Sequence, residues 1–180
     1  PVLPSNRLAQ SADDWQVQLR NVITSRRELL DTLKLSNDDV GFSGGACEDF
    51  PVKVPRSFVR RMRPGDPRDP LLLQVLSSKQ EMADTAGYSR DPVGESGDTN
   101  PRRGIMHKYH GRVLLIVSGG CAVNCRYCFR RHFPYNENQN SRRQWHDALD
   151  YIRADSSIEE VILSGGDPLV ATDEQLQQLI

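Results

Sequence analysis

Gly119-Gly120-Cys121-Ala122-Val123-Asn124-Cys125-Arg126-Tyr127-Cys128-Phe129-Arg130-Arg131 is the stretch that decides the fold. The apolar run Val113-Leu114-Leu115-Ile116-Val117 leads into it through the Gly-Gly pair. An apolar run of that length bounded by glycines reads as a buried strand that ends in a loop. Three of the chain's four cysteines sit on that loop, spaced Cys-x3-Cys-x2-Cys. Thiolates gathered on one loop select a soft metal. Structural zinc takes four protein ligands, usually from Cys pairs far apart in sequence, and no second pair exists here. Three thiolates on one loop also suit three corners of a cubane iron–sulfur cluster, with the fourth iron left open. Both metals stay open on spacing alone.

Outward from the loop, the pattern from Ile105 onward is strand, helix, strand, helix. The strand at 112–117 is followed by a helix over about 141–154, with Trp145, Leu149 and Ile152 on one face. A second strand, Glu160-Val161-Ile162-Leu163, ends in Ser164-Gly165-Gly166-Asp167-Pro168, and Thr172 with Glu174 and Gln175 opens another helix. This is the opening of a parallel α/β barrel, in which chemistry sits at the C-terminal strand ends. The cysteine loop and the Gly-Gly-Asp loop both fall there. Two glycines let backbone approach a ligand, and Asp167 offers a carboxylate to an ammonium group.

Residues 1–104 form a different region. Ser11 with Asp14 resembles a capping box ahead of Trp15, Leu19, Val22 and Ile23, and Ser25 with Glu28 opens a helix carrying Leu29, Leu30 and Leu33. Ser36-Asn37-Asp38-Asp39 is a turn or a third helix start. Val54-Pro55-Arg56-Ser57-Phe58 starts a short helix, and Asp69-Pro70 caps another with Leu71, Leu72, Val75 and Leu76. These predict a small helical bundle. Residues 83–104, rich in Gly and Pro, predict a long loop, and long ordered loops are commonly functional. The expected domains are 1–104, helical region and loop, and 105–180, the start of the barrel.

Between 121 and 143 five arginines (126, 130, 131, 142, 143) face one acid, Glu137. A solvated patch, a nucleic-acid surface with Tyr127, Phe133 and Tyr135, or carboxylate and phosphate recognition by arginine forks all fit. Arg130, two residues past the last loop cysteine, favours the last. His107 and His110 lack a metal-pair geometry, and Cys47 after Gly44-Gly45 reads as an ordinary thiol.

A formal net charge of −1 argues against a whole-surface nucleic-acid or membrane role. No apolar run reaches the roughly 18–20 residues of a membrane span, and no signal peptide opens the chain. Sparse, clustered cysteine is unlike a secreted disulfide framework and points to the reduced cytoplasm. The start at Pro1 and the stop inside a helical pattern read as a piece of a longer protein.

His107-Lys108-Tyr109, Arg112-Val113-Leu114-Leu115, Cys121-x3-Cys125-Arg126-x-Cys128-x-Arg130-Arg131 and Ser164-Gly165-Gly166-Asp167 together resemble the lysine 2,3-aminomutase family of the radical S-adenosylmethionine superfamily. The run 125–135 is most similar to the branch that makes (R)-β-lysine for elongation factor P, as are Trp15-x3-Leu19, 54–58 and 69–72. The resemblance implies a truncated radical S-adenosylmethionine partial (β/α) barrel. It implies an isomerase that uses a 4Fe–4S cluster, S-adenosylmethionine and pyridoxal 5'-phosphate to convert L-α-lysine to β-lysine, with a reducing electron donor. Cys121, Cys125 and Cys128 would hold iron. Tyr127, Gly165, Gly166 and Asp167 would meet S-adenosylmethionine, Arg130 the substrate carboxylate, and Tyr109 and Arg112 pyridoxal phosphate. Lys108 stands where the wider family often has arginine. The Schiff-base lysine and the acids that read the substrate's ε-ammonium lie past residue 180 in the family, so this piece alone is expected to be inactive. The rival readings are a radical S-adenosylmethionine enzyme without pyridoxal phosphate and a zinc module that binds RNA.

Overall fold

The computed structural model describes residues 14–41, 50–95, 99–138 and 144–180. Ser11, Cys47, Arg142, Arg143 and the start of the helix expected from 141 lie outside the described residues. The chain divides into two compact units, one running to Asp84 and including Ala122–Cys128, the other comprising Thr85–Cys121 and Phe129–Ile180.

The first unit is built from short helices: α1 Trp15–Arg20, α2 Arg26–Leu33, α3 Arg56–Val59 and α4 Leu72–Val75. Ser25 caps α2 by accepting from the Glu28 N–H, and Leu29, Leu30 and Leu33 bury the helix's apolar stripe, as their spacing predicts. Lys34 ends α2 in the left-handed conformation, φ 57°, and the Leu35 N–H closes back on the Leu30 carbonyl at 2.9 Å. The expected stripe of α1 is not internal: the cap is Asp14, Trp15 is 47% exposed, and Ile23 is buried only after the helix has ended. Ile23 instead bridges Val54 by two backbone hydrogen bonds of 2.8 and 3.0 Å, a strand-like contact that a helical reading of this region misses. These residues join Val52, Val59, Met62, Leu72, Val75 and Leu76 in one core.

Asp69 organises the segment before α4. Its Oδ1 accepts from the Leu71 and Leu72 N–H groups at 2.8 and 3.1 Å, and its Oδ2 from the Arg63 N–H at 3.0 Å. Burial alone would raise its pKa, but the backbone donors of Arg63, Leu72 and Leu71, with the Arg63 charge, hold it below the ordinary carboxylate value.

In the second unit the chain forms a three-stranded sheet of order β1-β2-β3: Ile105–Tyr109, Arg112–Ser118 and Glu160–Gly165. β2 and β3 are parallel, with Val113 beside Val161 and Leu115 beside Leu163. The helices here are α5 Tyr135–Asn138, α6 Gln144–Ala154 and α7 Asp173–Gln177. α6 lies on the β2-to-β3 crossover, as parallel pairing demands. It buries Trp145 and Ala148, while Leu149 is only half-buried. Ala148 packs with Ile105, Val113 and Leu115. Thr172 and Gln175 form a reciprocal capping box on α7. β1 is the element that the strand–helix–strand reading passes over. It pairs antiparallel with β2 through the two-residue turn His110-Gly111, where Gly111 takes φ +76°. No helix among the described residues is long and apolar enough to cross a membrane.

Replacing Asp69 by alanine leaves buried backbone donors unpaired, which costs about 2 kcal/mol. Because the folded-state pKa is lowered, this stabilisation is present at neutral pH and is lost as pH falls through the lowered value, below about pH 4. Urea unfolding of wild type and Asp69→Ala should therefore differ at pH 7 and converge in acid. Equal midpoints at pH 7 contradict the assignment.

Candidate active site

The C-terminal ends of β2 and β3 are locked together by backbone. The Gly166 N–H donates to the Ser118 carbonyl at 2.7 Å and the Asp167 N–H to the Gly120 carbonyl at 3.0 Å. Ser118 Oγ accepts from the Gly120 N–H and donates to its carbonyl, both at 3.1 Å, and so shapes the turn into Cys121. Gly165 has φ +123°, and a Cβ there would lie 2.1 Å from the Ser118 oxygen. A Cβ on Gly166 would lie 2.5 Å from the Gly120 carbonyl carbon and oxygen. The neighbouring strand end alone demands both glycines, a reason the sequence does not display. Asp167 follows in extended conformation, with Oδ1 capping a short 3-10 turn through the Leu169 N–H at 3.0 Å.

Arg130 is the polar hub of the same unit. Its Nε donates to Glu95 Oε2 at 2.6 Å and its Nη2 to Glu95 Oε1 at 2.7 Å, a two-pronged pair with side chains only 11% and 13% exposed. Its Nη1 donates to Ser164 Oγ at 3.0 Å and lies 3.5 Å from the Gly165 carbonyl. Hydrogen bonds donated to Glu95 hold the guanidinium's pKa above its ordinary value, against its burial. Tyr135 Oη donates to the same Gly165 carbonyl at 2.8 Å. The expected carboxylate fork is therefore present, and in this structure it grips the chain's own carboxylate. Glu95 escaped the sequence reading, which named Ser164 and Tyr135 but not as partners of Arg130 and the Gly165 carbonyl. The only available signal was the length of the Gly/Pro-rich loop that carries Glu95.

In the first unit the cysteine-bearing segment is anchored by the residues between its thiols. The Asn124 N–H donates to the Lys53 carbonyl and Asn124 Nδ2 to the Pro51 carbonyl, each at 2.9 Å. The Arg126 N–H reaches the Gln74 carbonyl at 2.7 Å, its Nε pairs with Glu81 at 2.5 Å and its Nη2 with Ser78 Oγ at 3.0 Å. Arg126 and Arg130 are thus each neutralised by an acid, which removes two of the five charges behind the nucleic-acid reading. A one-turn hydrogen bond of 3.0 Å joins the Cys128 N–H to the Cys125 carbonyl. Burial and then the neighbouring Cys128 push the Cys125 thiol up, while a hydrogen bond from Tyr127 pulls it down; Tyr127 itself is 69% exposed.

Cys121, Cys125 and Cys128 form no disulfide and are half-buried, Cys121 in the sheet unit and the other two in the helical unit. Among the described residues no three His, Cys, Asp or Glu side chains gather as ligands of one metal ion. The donor set on the loop is nevertheless all thiol, the chemistry of a soft metal.

The residues expected near pyridoxal phosphate lie elsewhere. Tyr109 and Arg112 face each other at the β1–β2 turn, six residues and roughly 20 Å of strand from Ser118. Arg112 pairs with Glu160 at 3.2 Å, and Lys108 Nζ donates to the Val93 carbonyl while lying over the Tyr109 ring. His107 Nδ1 is hydrogen-bonded to Tyr151 Oη at 2.8 Å.

Comparison with known proteins adds the following. The Radical SAM superfamily model matches residues 115–179. The chain is 49% identical over 171 residues to the L-lysine 2,3-aminomutase of Escherichia coli (strain K12), covering 94% of this chain and 49% of that protein. It is 46% identical over 179 residues to the enzyme of the same name from Haemophilus influenzae, covering 99% and 53%. To that of Clostridium subterminale it is 31% identical over 169 residues, covering 93% and 40%. The chain spans about half the length of the curated relatives it matches.

Gly165→Ala adds both backbone strain and a clash with the Ser118 carbonyl, together on the order of 3 kcal/mol. Thermal unfolding should show a large loss, whereas Gly87→Ala, with open space at its Cβ and only the positive φ against it, should show a smaller one. Losses of equal size contradict the strand-end lock.

Proposed function

We propose that this chain, a member of the radical SAM lysine 2,3-aminomutase family, carries the cofactor-binding strand ends of an isomerase that converts L-α-lysine to (R)-β-lysine, for modification of elongation factor P. The observation that carries this reading is the lock between the β2 and β3 ends, from which Cys121 and Asp167 both emerge. The parallel β2–β3 pair with its helical crossover fits the opening of a partial (β/α) barrel. The resemblance of 125–135 favours the elongation factor P branch.

The loop fits an iron–sulfur cluster by its donors: three cysteines outside any disulfide, spaced Cys-x3-Cys-x2-Cys. When bound, such a cluster with S-adenosylmethionine supplies one-electron cleavage of a sulfonium, and pyridoxal phosphate supplies a handle on the substrate's amino group. The chain's own part is to bind and orient. Cys121, Cys125 and Cys128 would hold three irons, and Tyr127 would stand beside the cluster's cofactor. Gly165 and Gly166 let the two strand ends meet, and Asp167 beside them would offer its carboxylate to the cofactor's ammonium. Arg130, held two residues beyond Cys128, would meet the substrate carboxylate. Lys108, Tyr109 and Arg112 offer cations and a phenol of the right kind for a phosphate. Arg112 is already paired with Glu160 and Lys108 with a backbone carbonyl, so their assignment to pyridoxal phosphate rests on the resemblance alone. The reduced cytoplasm, with a reducing electron donor as partner, suits free thiols and their cluster.

The test is anaerobic reconstitution of the full-length protein with iron and sulfide. Alanine at Cys121, Cys125 or Cys128 should each abolish the cluster's visible absorbance, while Cys47→Ala keeps it. Asp167→Ala should keep iron content but bind S-adenosylmethionine more weakly. Colourless wild-type protein holding zinc would sink the reading.

A further inference from the structure

We propose that Glu95 is the positioning residue of the substrate-carboxylate seat: it grips Arg130 by one edge of the guanidinium and thereby turns the other edge to the substrate. This rests on the reading of Arg130 as the group that meets that carboxylate.

A guanidinium presents two edges on which a carboxylate can dock with paired hydrogen bonds, Nε with Nη2 and Nη1 with Nη2. Glu95 fills the first, at 2.6 and 2.7 Å. On the second, Ser164 Oγ takes a hydrogen bond from Nη1 at 3.0 Å, and the Gly165 carbonyl stands at 3.5 Å, the outer limit of hydrogen bonding. The Phe129 ring lies under the guanidinium, with its centroid 5.0 Å from the guanidinium carbon. The Tyr135 hydroxyl also bonds the guanidinium. An incoming carboxylate would meet this edge by displacing neutral hydroxyl and carbonyl contacts, which are weaker than the paired charged bond to Glu95.

Glu95 is itself fastened. Its N–H donates to Asp91 Oδ1 at 2.9 Å, and its carbonyl accepts from Asn100 Nδ2 at 2.6 Å. A carboxylate tethered at both backbone groups and only 13% exposed is placed as a fixture rather than as a stand-in that leaves when substrate arrives. An arginine side chain has four rotatable bonds, and a point of support on one edge removes most of that freedom before binding. The pair is also neutral before substrate enters. The seat then discriminates by the direction of its remaining N–H groups rather than by bulk attraction for anions, as suits the planar α-carboxylate of an amino acid.

The test measures lysine turnover by the reconstituted full-length enzyme for wild type, Glu95→Gln, Arg130→Lys and the double variant. Glu95→Gln sets an amide N–H₂ against the guanidinium, lets Arg130 swing, and should raise KM for lysine about tenfold or more, since an error of about 1 Å can cost on the order of a hundredfold. KM for S-adenosylmethionine and the iron content should stay as in wild type. Because Glu95 acts through Arg130, the double variant should be no worse than Arg130→Lys alone. If Glu95→Gln fails to fold, Glu95→Asp, which keeps the charge but is one methylene shorter, takes its place and should raise KM in the same direction. A KM for lysine that is unchanged or lowered by the Glu95 variant, with Arg130→Lys still raising it, makes Glu95 a bystander or a competitor and overturns the proposal while sparing the Arg130 reading. Effects that multiply in the double variant overturn it too, by placing the action of Glu95 elsewhere. No change in lysine KM for Arg130→Lys removes the premise and the proposal together.

Discussion

Where β2 and β3 end, the two backbones approach so closely that no side chain fits between them. Ser118 and Gly120 offer carbonyls, Gly166 and Asp167 offer N–H groups, and the absent side chains at 165 and 166 let them meet. Much of the site follows from that contact. It sets the direction in which Cys121 leaves its strand. It holds Asp167 by its backbone N–H, and it aims the Gly165 carbonyl at Tyr135 and Arg130. A backbone-to-backbone lock is stiffer than one made by side chains, because it engages no rotamers.

A second constraint is charge. A loop carrying several arginines close to one another would repel itself. The chain answers with one acid for each of two arginines: Glu81 for Arg126 in the helical unit and Glu95 for Arg130 in the sheet unit. Both pairs are largely withdrawn from water, so each guanidinium is held by short bonds in a fixed direction. Buried pairs of this kind are weak contributors to net stability, and their value is in fixing geometry.

Much of the fold was legible in the residues. The apolar run 113–117, the helix around Trp145, the strand at 160–163 and the caps at Ser25 and Thr172 all stand where local pattern puts them. Local pattern failed where a long-range partner decided the outcome. β1 exists because it pairs with β2, and His110-Gly111 is a weak turn signal. Ile23 leaves the helical pattern to bridge Val54, thirty-one residues on. At the site, the thiol spacing and the Gly-Gly-Asp run announced themselves. Glu95 did not, because nothing in a Gly/Pro-rich loop says which arginine, 35 residues away, it will meet. The glycines at 165 and 166 were read as making room for a ligand, whereas the structure shows them making room first for the neighbouring strand.

The environment of Cys125 bears on the reactivity of its thiol. Its thiol is pushed towards the protonated form by burial and by its neighbour Cys128. A protonated thiol is a poor nucleophile and a slow target for peroxide and disulfide exchange. Cys125 is in that sense kept chemically quiet by its surroundings. Metal binding at this thiol, as proposed above, would release its proton and so be favoured as pH rises.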